Sequence, residues 1–138
     1  MPQHDDTASQ REEARALLRE VIERGGISGE LDARLSRERL LAMSDDVRGG
    51  DYLHLDAALA LALAGDARAI PTLRRVFEQP GFAVTNSLNE GAYAALGLAL
   101  LGDVASLPHV RCAHPINLMR TVAPLVLALL EAAASSPA

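Results

Sequence analysis

The sequence predicts an all-α protein of packed helix pairs, on three observations. Hydrophobic residues make up 49% of the chain, and most are Ala and Leu, both strong helix formers. Aromatic residues are 3%, and no cluster of Val, Ile, Thr and aromatics marks a strand. Finally, a helix-like block recurs. The run from Ala57 to Asp66 is echoed from Ala94 to Asp103, 37 residues later. Pro71 and Pro108 keep the same spacing, as do Ile70 and Leu107. A period of this size marks a helical-repeat array.

At 138 residues the chain is expected to form a single domain, 1–138, with a buried core. Residues 1–8 read as a frayed end. Ser9, Gln10, Arg11 and Glu12 have capping-box spacing, and Ala14, Leu17, Leu18, Val21 and Ile22 fall on one helical face. Gly25-Gly26 stops that helix and Ser28 is placed to cap the next, so 9–44 reads as a helical hairpin. Repeats follow over 51–134. Helices are expected near 10–24, 29–44, 51–64, 67–78, 87–101, 104–111 and 117–132.

Gly65-Asp66-Ala67-Arg68-Ala69-Ile70-Pro71-Thr72-Leu73, preceded by the Ala-rich run from Ala57 to Ala64, carries a resemblance. It looks like the helix junction of HEAT-like repeats of the phycobilisome-lyase type, over about 52–131. The resemblance implies a short α-solenoid of HEAT-like helix pairs behind an N-terminal helical hairpin. It implies no particular activity, because such repeats serve many tasks. The physical reading agrees with it. Asp66 and Asp103 are placed to cap the next helix, and Pro71 and Pro108 fall in a first turn, where a missing N–H costs little. Ile70, Leu73, Val76 and Phe77 make an amphipathic face. The family's usual Val-Arg at the start of the second helix is replaced by Leu53-His54 and Glu90-Gly91.

Charge and motif content exclude several functions. The formal charge is −5, and all thirteen basic residues are Arg without a basic run, which argues against a nucleic-acid partner. The longest apolar stretch, Val122 to Leu130, is too short to span a bilayer, so no membrane association is expected. The lone cysteine, Cys112, fits a reducing compartment, and a cytoplasmic protein is expected. His109, Cys112 and His114 are close in sequence but match no zinc spacing, so no metal is assigned. No acid, base and nucleophile assemble, so neither enzymatic activity nor a cofactor is expected.

The leading functional expectation is a non-catalytic binding or adaptor module for a protein partner. The alternatives are an inhibitor or immunity-type protein, a HEAT-like nucleic-acid binder, or a lyase-type subunit. Two candidate surfaces follow. The first is polar: Asn86, Asn89, Glu90 and Tyr93 share a helical face, and the 37-residue shift sets Tyr52 beside Asn89 and Asp56 beside Tyr93.

The second is apolar. HEAT-like repeats usually carry charges at two positions of the second helix where this chain has Leu59 and Leu63, Leu96 and Leu100, then Leu125 and Leu129. Six exposed leucines would forgo on the order of 10 kcal/mol, so something must cover the strip. Either the N-terminal hairpin folds back over it, or a second chain does. Thr121 to Leu130 carries no charge, which favours the second chain. A homodimer or obligate partner is therefore expected through Leu96, Leu100, Leu125, Val126 and Leu129.

Overall fold

The computed structural model of the chain describes residues 3–32, 34–45, 53–78, 88–112 and 122–135, with backbone alone for 3–6, 88–90 and 112. Its described residues contain seven α-helices and no strand. The helices are α1 (Gln3–Glu23), α2 (Arg37–Asp45), α3 (Leu53–Leu63), α4 (Ile70–Glu78), α5 (Leu88–Leu100), α6 (Leu107–Cys112) and α7 (Ala123–Ser135). A 3-10 turn leads into α4 at Ala67–Ala69 and into α6 at Val104–Ser106.

The Gly-Asp junctions do two jobs. Gly65 (φ +80°) ends α3 by donating its N–H to Ala62 at 3.0 Å, while Asp66 donates to Leu61 at 2.9 Å. Gly102 (φ +70°) and Asp103 end α5 in the same way. This is the Schellman closure, and its left-handed residue favours glycine. The aspartates then diverge. Asp66 caps the next turn, accepting from the Arg68 N–H at 3.0 Å. Asp103 was expected to cap likewise, but its side chain accepts no backbone N–H there. It is drawn instead to Arg74 and Ser106.

Two expectations at the N-terminus need correction. Helix α1 begins at Gln3, so 3–8 is helical and Ser9 lies inside the helix rather than capping it. Helix α2 begins at Arg37, not near 29. Gly29 takes φ +78°, and the Ser28 hydroxyl accepts from the Glu30 N–H in a local turn. Ser36 is the cap that α2 uses, its hydroxyl accepting from the Arg39 N–H at 3.2 Å.

The packing departs from a helical hairpin as well. Helix α2 packs chiefly on α3, as α4 does on α5 and α6 on α7. Helices α3, α5 and α7 lie side by side in chain order, and α1 packs across all three. Small residues allow the close approach: Ala57, Ala58, Ala94 and Ala95 are fully buried. At Gly97, an added Cβ would meet Leu73 Cδ1 at 3.0 Å and Ala62 Cβ at 3.3 Å. Pro71 falls in the first turn of α4 and Pro108 in that of α6, as expected. Leu73 and Val76 bury the inner face of α4, with Ile70 and Phe77 half-buried at its edge.

Candidate interaction surface

The leucine strip is covered from within the chain. Leu59 and Leu96 are fully buried, Leu100, Leu125, Val126 and Leu129 are buried, and Leu63 is half-buried. The cover is α1, whose Ala14, Leu18, Val21 and Ile22 are buried in the same core. Arg11 adds a polar tie, donating to the Leu100 carbonyl at 3.2 Å, one of the carbonyls a helix end leaves unpaired. The argument for a homodimer or obligate partner through Leu96, Leu100, Leu125, Val126 and Leu129 therefore falls away. These residues are core.

Nor do the described residues assemble the polar patch. Tyr52 and Asn86 lie outside them. Asn89 and Glu90 sit in the first turn of α5, with only their backbone described. Tyr93 is half-buried against the core. Asp56 is fully buried and faces the α1–α2 connection, where it accepts from the Ile27 N–H at 2.6 Å and the Ser28 N–H at 2.8 Å. A side chain so engaged cannot join an external contact surface. Its role is to hold the connection against α3.

Charged pairs join neighbouring helix pairs along the side formed by α2, α4 and α6. Arg74 of α4 makes a two-pronged contact with Asp103 at 2.6 and 2.8 Å, and Ser106 donates to the same carboxylate at 2.6 Å. The Arg74 guanidinium holds the Asp103 carboxyl below its ordinary range, Ser106 adds to this, and burial opposes it. One repeat earlier, Arg37 points at Asp66 across 4.0 Å. Arg68 occupies that carboxylate more closely, at 2.7 and 2.9 Å, and lowers its pKa to about 2. His109 Nε2 lies 3.7 Å from Glu78, and Arg111 lies 3.3 Å from Glu131. Arg37, Arg74 and Arg111 keep the 37-residue period, a signal the junction motif left unused. Between α2 and α4, the Ser44 hydroxyl donates to Thr72 Oγ1 at 3.0 Å, and Thr72 donates to the Ser44 carbonyl at 3.0 Å.

A cleft of about 340 Å³ opens where α1, the start of α2 and the end of α3 meet. Its apolar walls include Ile22, Leu35, Leu61 and Leu63, and Arg19, Glu23 and Arg37 supply charge. The size falls at the lower end of the usual range for ligand sites. Sequence reading missed it because its walls come from three separate segments. One trace was available, in Leu35 and Arg37 on either side of Ser36, a short amphipathic step at the start of α2.

No family model, curated protein or solved structure matches this chain. The likeness to HEAT-like repeats thus rests on the junction residues themselves. Among the described residues no group of three or more His, Cys, Asp or Glu could hold a metal ion, and no helix is long and apolar enough to cross a membrane. The His109, Cys112 and His114 cluster is described in part: His109 turns to Glu78, the side chain of Cys112 is not described, and His114 lies outside the described residues.

Proposed function

We propose that this chain is a non-catalytic binding module, a short α-solenoid of HEAT-like helix pairs that holds a protein partner. The observation that carries the reading is the repeated Arg–Asp pairing between consecutive helix pairs, tight at Arg74–Asp103 and loose at Arg37–Asp66. An Arg of one first helix points to the Asp of the next Gly-Asp junction, at Arg37–Asp66 and again at Arg74–Asp103. Stacked helical repeats form extended surfaces suited to binding other chains. The partner's contact lies away from the leucine strip, which α1 occupies.

A photo-crosslinker at Ala64, an exposed residue on the cleft rim, tests this against one at the exposed Ala16 on α1. The expected result is a discrete protein adduct from Ala64 in native lysate and none from Ala16. Equal, diffuse labelling from both positions would defeat the reading.

A further inference from the structure

We propose that the start of α2 is a hinged wall of the cleft between α1, α2 and α3, and that Arg68 keeps this wall unlatched. The two Gly-Asp junctions carry the inference, because they share a backbone closure and differ in what holds the aspartate. At the second junction Arg74 reaches across from α4 and donates to Asp103 twice, at 2.6 and 2.8 Å. At the first, the equivalent Arg37 lies 4.0 Å from Asp66, an ion pair without a hydrogen bond. One residue accounts for the difference. Position 68 is Arg, and position 105, one period later, is Ala. Arg68 donates to both oxygens of Asp66, at 2.7 and 2.9 Å, and its backbone N–H donates to one of them at 3.0 Å. A carboxylate met by one planar guanidinium fork leaves a second arginine at longer range. Ala105 has no side chain to compete, and the Ser106 hydroxyl shares Asp103 with Arg74 without displacing it.

The far end of α2 is fastened. Ser44 is buried there, its hydroxyl donating to Thr72 Oγ1 at 3.0 Å and its carbonyl accepting from Thr72 at 3.0 Å. Leu40 and Ser44 are the buried residues of α2, whereas Arg37, Glu38 and Arg39 are exposed. A segment with few buried apolar contacts opens at low cost. Leu35, Arg37 and Leu40, which line the cleft, all belong to the loosely held end. A helix pinned at Ser44 and loose at Arg37 turns about the pin. The facing walls, Ile22 of α1 and Leu61 of α3, are buried in the core and stay in place. The width of the cleft is thereby adjustable, and it is set by which arginine Asp66 holds.

The test is hydrogen exchange by NMR on the full chain and on Arg68→Ala, which makes the first junction like the second and keeps the backbone cap of Asp66. In the parent, the Arg37 Nε–H should exchange with water faster than the Arg74 Nε–H. The Leu40 amide, bonded to the Ser36 carbonyl at 2.9 Å, should exchange faster than the Ser44 amide. Arg68→Ala should slow both Arg37 Nε–H and the Leu40 amide by about two- to fivefold, the scale of one exposed ionic pair, and leave Ser44 unchanged. Adding Arg37→Gln to Arg68→Ala should return Leu40 to the parent rate. The reverse exchange, Ala105→Arg at an exposed position, should quicken the Arg74 Nε–H. Each variant is checked for folding by circular dichroism. Leu40 exchanging as slowly as Ser44 in the parent overturns the proposal. So does an Arg68→Ala variant in which Arg37 and Leu40 keep their rates, or in which all of α2 slows together, Ser44 included. An Arg74 Nε–H indifferent to Ala105→Arg removes the competition on which the latch depends.

Discussion

Gly26 lies so close to the Asp56 carboxyl that a Cβ at position 26 would overlap it. Gly26 also takes φ +74°, a conformation L side chains rarely adopt. The contact lets Asp56 reach the N–H groups of Ile27 and Ser28 and so fixes where α1 hands over to α2. Gly26→Ala is expected to destabilise the fold by more than 1 kcal/mol, about the scale of a lost backbone conformation plus displaced hydrogen bonds. Asp56→Ala should cost about 2–4 kcal/mol, because it strands two inward-facing N–H groups. Urea unfolding measures both, and a loss in neither variant would remove the clamp.

Leu18 is a fully buried residue of the covering helix. Leu18→Ala should lower stability by about 2–5 kcal/mol, the range for leucine truncation in a packed core. A change below about 0.5 kcal/mol, typical of a surface site, would mean that α1 does not cover the strip.

Acid should weaken the junctions in a defined window. The folded pKa values of Asp66 and Asp103 are depressed, Asp66 to about 2, by Arg68 and Arg74 respectively. A carboxylate depressed on folding binds fewer protons in the folded state than in the unfolded one. Its stabilisation is complete above the unfolded value of about 3.9 and is lost as pH falls through the folded value. The urea midpoint should therefore drop between about pH 4 and pH 2. Asp66→Asn and Asp103→Asn should each flatten that drop, and an unchanged profile in both would exclude the junctions as its source.

The Ser44–Thr72 pair is buried between α2 and α4. Thr72→Val keeps the shape but leaves the Ser44 hydroxyl and carbonyl without their partner, at a cost of about 1–3 kcal/mol. Thr72→Ser, which keeps the hydroxyl, should recover part of that loss in the same unfolding assay.

Local chemistry was legible in the sequence, and long-range packing was not. The Gly-Asp junctions, the prolines in first turns and the Ala-rich second helices all follow from rules that act within a few residues, and the all-helical order followed from them. The cover over the leucines was harder to see. The apolar face of α1 from Ala14 to Ile22 made a fold-back over the strip one of two expectations, but the uncharged run from Thr121 to Leu130 favoured a second chain, and no local rule set α1 across three helices. Asp56 was misplaced because a shift by one repeat sets it beside Tyr93 on an outer surface. The better signal was its setting, an acid inside the apolar run from Leu55 to Leu59, which calls for donors brought from elsewhere. Gly25-Gly26 read as a helix stop and also supplied the room for those donors to approach. The start of α2 moved because Gly29 and the Asp32–Arg34 turn occupy residues that the Ser28 cap would have made helical.

The most direct test of the central claim, that α1 rather than a second chain closes the leucine strip, is light scattering with circular dichroism on Leu125→Glu beside the parent chain. Leu125 is 6% exposed, so a charge there enters the core and not an interface. The account predicts that the parent does not self-associate through this strip and that Leu125→Glu loses its cooperative unfolding transition. A parent dimer that Leu125→Glu converts to a monomer with an unchanged helical spectrum would contradict it.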